Sequence, residues 1–406
     1  MGFKIFKNTV LLCLLVLISC ANSKHSKTDD VLEPQPKEEP VVVGANRLDL
    51  YLPLLQGKRV AVVANQGTVI FKDENVTTYT HLIDSLRDLN IAIKKVFAPE
   101  HGFRGIGDAG ELIDNSTDKK TGLPIISLHG KHRKPTQEDL RDIDIVIFDI
   151  QDVGVRFYTY LSTMHYVMEA CAEAGIPTIV LDRPNPNGHY IDGPVLELEH
   201  KSFLGLHPVP LVYGMTIGEY AKMINGERWL ADSLVCDLIV IPLKNYTHQT
   251  PYSLTVKPSP NLPNGKAINL YPSLDIFRGT VINVGRGTDL QMQIYGAPFF
   301  PKSDFSFTPV SNEGAKYPRF ENQLCYGVDL RNEPRLHKFN LKYLMDAYSK
   351  TPKEVTFFGP TFTAHAGNTK LQEQIESGIP EDSIRASWQK DIEAFKVIRE
   401  KYLLYD

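Results

Sequence analysis

The sequence predicts an α/β protein: a mostly parallel sheet domain over residues 44–245, covered on both faces, then a smaller α+β domain over residues 246–406. Three observations predict it. Apolar runs of strand length alternate with helical patterns from residue 59 to residue 241, as parallel strands joined by crossover helices do. Polar groups follow nearly every strand, which places them at one edge of such a sheet. Beyond residue 245 the alternation stops, and residues 250–320 are rich in proline and glycine.

In chain order, Arg59-Val-Ala-Val-Val-Ala64 is a buried strand ending in Asn65-Gln66-Gly67. His81–Leu89 reads as a helix, with Leu82, Leu86 and Leu89 on one face. Ile91–Ala98 and Pro124–Leu128 are the second and third strands. Thr136-Gln-Glu-Asp139 has the capping hydroxyl and early acids of a helix start. Asp144–Asp149 is the fourth strand. The helix Tyr160–Ala174 aligns Leu161, Met164, Met168 and Cys171, and Gly175 stops it. Pro177–Leu181 and Asp237–Ile241 are the fifth and sixth strands, with a helix at Ile217–Ile224 between them. In the second domain, Gly279–Asn283 is β-like, and Lys338–Tyr348 and Ile384–Tyr402 are helical.

The first twenty residues stand apart. Lys4 and Lys7 precede an apolar stretch, Val10–Ile18, that is too short to span a bilayer. It ends in Leu17-Ile18-Ser19-Cys20, which resembles a bacterial lipobox. Residues 1–20 are therefore expected to be a lipoprotein signal peptide, with Cys20 the lipidated new N-terminus; a plain secretory signal is the competing reading. Residues 21–43 are polar and proline-spaced, a flexible tether, with order expected from about Gly44. Ala21-Asn22 after Cys20, by resemblance to proteobacterial sorting, implies an outer-membrane anchor in the cell envelope, facing the periplasm.

The formal charge of −4 gives no field to attract nucleic acid. Cys171, Cys236 and Cys325 are widely spaced and odd in number, no disulfide framework. Without a CxxC pair or HExxH, no metal site is expected.

The strand ends carry Asn65-Gln66, Pro99-Glu-His-Gly102, His129, Asp149-Ile-Gln-Asp152 and Asp182-Arg-Pro-Asn185. Any one of these is an ordinary turn composition, but five at one edge point to an active cleft. Glu100 is the leading acid or base. Pro99 keeps the backbone extended and Gly102 permits a sharp turn, so the carboxyl sits on a fixed loop, as proton transfer requires. A carboxyl beside apolar surface tends to keep its proton toward neutrality. The competing reading is a loop clasp between Glu100 and Arg104. His101 is either a ligand contact or a satisfied loop histidine. In Asp149–Tyr160, alternation puts Asp149 and Gln151 on one side and Asp152 on the turn, with Arg156 and Tyr158 ahead of the helix. Asp149 and Asp152 are both candidate catalytic carboxylates, one of them expected to hold a helix N-terminus or an arginine instead. Arg156 is a candidate fork for an anionic ligand group.

Gly105-Ile-Gly-Asp-Ala-Gly110 matches GxGxxG, but it follows the second strand and precedes a poor helix, so no dinucleotide is expected. No GxSxG elbow is present. The residues alone lead to a two-carboxylate hydrolase or a binding protein for a polar ligand.

Several longer segments carry a family resemblance. They are PEHGFRG at 99–105 with AGE at 109–111, QDVGVRFYTYLSTM at 151–164, DRPNPNG at 182–188, YGMTIGEYA at 213–221, PSPNLPN at 258–264, YPSLDIFRGT at 271–280 and GRGTD at 285–289. In this order they resemble the exo-β-N-acetylmuramidases of the NamZ type, glycoside hydrolase family 171. The resemblance implies a Rossmann-like N-terminal domain beside a smaller C-terminal one, without a dinucleotide or other cofactor. It implies release of terminal N-acetylmuramic acid from the non-reducing end of peptidoglycan fragments. The glutamate of PEHG, here Glu100, is then the proposed catalytic residue. Two positions depart from the pattern: Arg278 and Val284 stand where many members have glutamate. They motivate an alternative, a lipoprotein that binds muropeptides without cleaving them.

The substrate so implied carries a lactyl carboxylate, which an arginine grips bidentately. Arg104, Arg156, Arg183 and Arg286 lie in or beside the matched segments. Asn65, Gln151, Asn185 and Asn261, with His101, Tyr158 and Asp182, are candidate contacts to the sugar. Glycoside cleavage usually needs an acid and a second carboxylate. The substrate's own acetamide can replace the second, leaving Asp152 to orient it.

Overall fold

The computed structural model describes residues 39–103 and 115–406. The signal segment with Cys20, most of the tether, Arg104 and the Gly105–Gly110 motif lie outside the described residues. The chain is anchored slightly ahead of Gly44, because the Val42 amide and carbonyl both pair with Lys244 at 3.0 Å.

After helix α1 (Leu48–Leu55), strand β1 (Arg59–Ala64) is built of small and β-branched residues, as a strand buried on both faces requires. A hairpin of β2 (Val69–Phe71) and β3 (Tyr79–His81) leads into α2 (Leu82–Asp88). There follow β4 (Ala92–Ala98), β5 (Ser116–Thr117), β6 (Pro124–Ser127), β7 (Ile145–Asp149), α3 (Tyr160–Ala174) and β8 (Thr178–Leu181). A second hairpin, β9 (Asp192–Val195) with β10 (Pro210–Val212), precedes α4 (Ile217–Gly226) and β11 (Leu238–Ile241). Local chemistry sets the helix limits. Gly175 ends α3 at φ 65°, and a capping box between Thr216 and Glu219 starts α4.

All six expected strands join one sheet, ordered β11-β8-β7-β1-β4-β6-β5 and parallel except at the β5–β6 edge. Numbered by chain order, its parallel strands run 3-2-1-4-5-6, the doubly wound arrangement. Alternate residues feed two cores. Val60, Val62 and Ala64 of β1 meet Leu82, Ile83 and Leu86 on one face, while Ala61 and Val63 join the core of α3 and α4 on the other.

The chain continues through α5 (Gly265–Leu274) and a three-stranded antiparallel sheet of β12 (Ile294–Ala297), β13 (Ser306–Phe307) and β14 (Cys325–Asp329). It closes with α6 (Leu341–Lys350), α7 (Phe362–Ala366), α8 (Lys370–Glu376), α9 (Glu381–Ser387) and α10 (Gln389–Glu400). Its apolar residues, among them Leu274, Phe277, Phe339 and Phe395, belong to the α3–α4 core, and Pro40–Asp406 forms one compact unit.

The structure corrects several local expectations. Thr136 and Asp139 do cap each other (Thr136 N to Asp139 Oδ2 2.8 Å, Asp139 N to Thr136 Oγ1 3.1 Å), yet only a turn follows. The Asp144 amide already bonds Arg59 O, which leaves too little chain for a helix. Ile384–Tyr402 is broken at Trp388 into α9 and α10. Gly279–Asn283 is no strand and makes only isolated bridges, Thr280 to Phe358 and Asn283 to Gly296. Conversely, α5 forms inside the proline-rich stretch although Pro272 lies within it, because its buried face overrides propensity.

Candidate active site

The described residues enclose a cleft of about 650 Å³ beyond the carboxyl ends of β4 and β6, walled on its far side by residues 259–319 and by α7. Glu100 and His101 enter it from the turn after β4. That turn is tight: Gly102 N donates to Pro99 O at 3.0 Å, and His101 and Gly102 both take left-handed φ, 71° and 75°. A histidine in that region costs roughly 1–3 kcal/mol, strain of the kind that collects at functional loops.

Thr159, the residue before α3, donates its hydroxyl to Glu100 Oε2 at 2.7 Å, and no side chain caps α3. This hydroxyl, beside the first turn of α3, holds the carboxyl rather than capping the helix. Tyr158 lines the same wall, donating to Pro258 O at 2.9 Å and standing edge-on to Tyr160 and Tyr271.

Across the cleft are Asn261, Asp275, Arg278, Asn283, Val284, Arg286 and Arg319. Asn261 donates to Gly314 O at 2.7 Å and Arg286 to the same oxygen at 3.0 Å. Arg319 braces the turn beneath Arg278, donating to the carbonyls of Phe277, Arg278 and Ile282. Partial burial and the like charges of Arg278 and Arg286 hold Arg319 below the usual guanidinium value. Three buried polar atoms of lining residues have no protein partner: His129 Nδ1, Asn261 Oδ1 and Asn283 Oδ1. Buried polar atoms are normally satisfied, so water or a polar ligand is left to bond these three.

Of the residues singled out from sequence, Glu100, His101, Tyr158, Asn261 and Arg286 line this cleft, while Arg104 lies outside the described residues. The others do not line it. Asp149, fully buried, takes both bonds of the Arg183 fork at 2.6 and 2.8 Å, and Arg183 also donates to Val69 O. Asp182 accepts from the amides of Arg183 and Gly218 and the hydroxyls of Thr216 and Tyr405, which ties the start of α4 to the chain end. Gln151 donates to the carbonyls of Asp152 and Pro184, and Asn185 to Met215 O. Asn65 bonds Tyr160 OH and the Gly67 amide. Arg156 is a buried cation held by four carbonyls, those of Pro194, Val209, His365 and Ala366, at 2.7–3.0 Å. The strand-end edge thus divides in two. At the switch point between β1 and β7 most polar groups bond within the protein, with Gln66 Nε2 and Tyr158 OH donating to Pro258 O; over β4 and β6 it leaves an opening.

Asp152 is also outside the lining. Its Oδ2 accepts from Tyr213 OH and the Gly154 amide, and its buried Oδ1 has no partner. Burial pushes its carboxyl from 3.8 up to about 6 against the pull of those bonds. The folded state therefore holds this proton more tightly than the unfolded chain. The resulting stability is present at low pH and is lost as pH rises from about 4 to about 6. Asp152→Asn, which cannot ionise, is expected to gain on the wild type across that window by up to about 3 kcal/mol. Melting temperatures of both proteins from pH 4 to 8 check this; a pH-independent difference would sink it.

Sequence reasoning missed Thr159, Tyr271, Asp275, Asn283 and Arg319. The first three lie inside the matched segments 151–164 and 271–280, so a signal existed; Arg319 had none. Among the described residues one group has the spacing to hold a metal, Glu197, Glu199 and His200. It lines no part of the cleft, and Glu197 pairs with Lys370 at 2.7 Å.

Comparison with known proteins adds two family models. One, described as exo-β-N-acetylmuramidase NamZ, N-terminal, matches residues 60–266; its C-terminal counterpart matches residues 269–405. The peptidoglycan β-N-acetylmuramidase NamZ of Bacillus subtilis (strain 168) is 37% identical over 383 residues, 87% of this chain and 89% of that protein. Two crystal structures from Bacteroides fragilis NCTC 9343, described as DUF1343 family proteins, share the fold. One has a TM-score of 0.82 at 46% identity, covering 90% of this chain and 99% of that one. The other has a TM-score of 0.77 at 29% identity, covering 91% and 100%.

Proposed function

The chain belongs to the NamZ family of exo-β-N-acetylmuramidases, and on that premise we propose that it is an exo-acting glycosidase that releases terminal N-acetylmuramic acid from peptidoglycan fragments, with Glu100 as the general acid. The observation that carries this reading is the set of unsatisfied polar atoms at His129, Asn261 and Asn283, in the cleft that also contains Glu100. A sugar ring with its acetamide offers matching donors and acceptors. Arg278 and Arg286 on the opposite wall supply cationic charge for the lactyl carboxylate.

The test is turnover of a chromogenic β-N-acetylmuramic acid glycoside beside the matching β-N-acetylglucosamine glycoside, which lacks the lactyl group. Preferred cleavage of the first supports the reading; equal rates would remove the carboxylate contact from it. A second reading, binding without cleavage, rests on Arg278 and Val284, which both line the cleft. Binding of muramic-acid ligands with no product after long incubation would favour it.

The lipid anchor at Cys20 belongs to the same proposal: an envelope lipoprotein, tethered to the outer membrane and facing the periplasm, meets peptidoglycan fragments where they arise. Metabolic labelling with a palmitate analogue should mark the wild type and not Cys20→Ser, and labelling of both would refute lipidation at that site.

A further inference from the structure

Only two carboxylates line the cleft among the described residues, Glu100 and Asp275. The aspartates favoured by sequence reasoning, Asp149 and Asp152, do not line it. Asp275 begins the 3-10 turn Asp275–Gly279 directly after α5 and is 3% exposed. Tyr271, one helical turn earlier, donates its hydroxyl to Asp275 Oδ2 at 2.9 Å. That bond leaves the carboxylate an oriented acceptor.

The Tyr271 ring couples this acid to the other wall. It stands edge-on to Phe157 at 5.6 Å and to Tyr158 at 5.8 Å, the residues just before the Thr159 that holds Glu100. Burial pushes its phenol well up, and the carboxylates of Asp275 and Glu100 add in the same direction. Tyr271, Asp275 and Glu100 all line the same cleft. Among the described residues, the other charged or titratable groups around Asp275 are Arg278 on its own turn, Arg319, and His365 of α7. Two of these three are permanent cations, which suits a site that carries an anion.

Resting on the glycosidase reading above, we propose that Asp275 is the second catalytic carboxylate of the cleft, the base that takes the proton lost by the attacking nucleophile. In the hydrolytic step, Glu100 gives its proton to the glycosidic oxygen while the C1–O bond breaks and its electron pair stays with the leaving sugar. A water oxygen forms the new bond to C1, and the proton it sheds goes to Asp275. Solvent then reprotonates Glu100 and deprotonates Asp275, so the cycle consumes one water. If the substrate's own acetamide oxygen attacks first, the proton Asp275 takes is the amide N–H. The product then keeps its configuration.

The experiment compares wild type, Asp275→Asn and Asp275→Glu on an unactivated muramic-acid disaccharide and on a 4-nitrophenyl muramic-acid glycoside. Asn can still accept the Tyr271 hydroxyl, so the fold should survive; circular dichroism and a melting curve check that. Asp275→Asn is expected to lower kcat about 10²–10⁴-fold on both substrates, since a good leaving group does not replace a missing base. Added azide or formate should restore part of the rate. Asp275→Glu should recover part of the loss. Turnover by Asp275→Asn within threefold of wild type, or a change confined to KM, overturns the proposal while leaving the glycosidase reading intact. A wild type that turns over neither substrate overturns both.

Discussion

Glu100→Gln is expected to lower kcat/KM on a muramic-acid disaccharide about 10²–10⁴-fold, the usual contribution of a positioned general acid, with stability changed by less than about 1 kcal/mol. Glutamine keeps the shape and can still accept the Thr159 hydroxyl, so the turn after β4 should hold. What it cannot do is release a proton to the leaving oxygen. The loss should shrink on a 4-nitrophenyl glycoside, whose leaving group needs no proton. That pattern separates Glu100 from Asp275, for which both substrates should suffer alike. Initial rates on the two substrates, beside one melting curve, decide it. Equal loss on both would reassign Glu100 from acid to base or nucleophile, and no loss would remove it from catalysis.

The second large effect concerns folding. Arg156→Met should destabilise the protein by about 3–5 kcal/mol, a large share of the 5–15 kcal/mol typical of a native fold. Its guanidinium is buried, still charged at neutral pH although burial pushes it down to about 10, and bonded to four carbonyls. Two of these belong to the β9–β10 region and two to the end of α7, so one side chain ties the sheet domain to the last third of the chain. Methionine fills the stem's volume and leaves the carbonyls without donors, each costing about 1–3 kcal/mol if water cannot reach it. A urea titration measures the loss. Below the new midpoint the folded variant should keep its KM, because Arg156 is not in the cleft lining. A raised KM with stability unchanged would restore the anion-fork reading.

The same arginine shows why the site was only partly legible. Its neighbours in sequence, a run of aromatics ahead of a helix, look like a ligand loop, and its acceptors lie up to 210 positions away. Asp149 is similar: its partner Arg183 comes from the end of another strand, 34 residues on. A carboxylate and a guanidinium at the same sheet edge look alike in sequence whether they meet a ligand or each other. Glu100 was easier to find because its local chemistry, proline before and glycine after, already required a rigid turn. Asp275 was overlooked because its stretch is rich in proline and glycine and shows no helical period, although α5 precedes it.

The sequence by itself determined the six parallel strands and their main helices, because alternation, caps and stop residues act within a few positions of one another. It also singled out the strand-end edge and Glu100, which lines the cleft there. Tertiary structure decided which end of that edge stays open, that Asp149, Arg156 and Asp182 are bonded within the fold, that Asp152 lies outside the cleft lining, and that Asp275 lines the cleft with Glu100. Those outcomes depend on which polar groups satisfy one another across long stretches of chain. In a buried setting an ion pair or a hydrogen bond removes a group from chemistry as surely as its absence would.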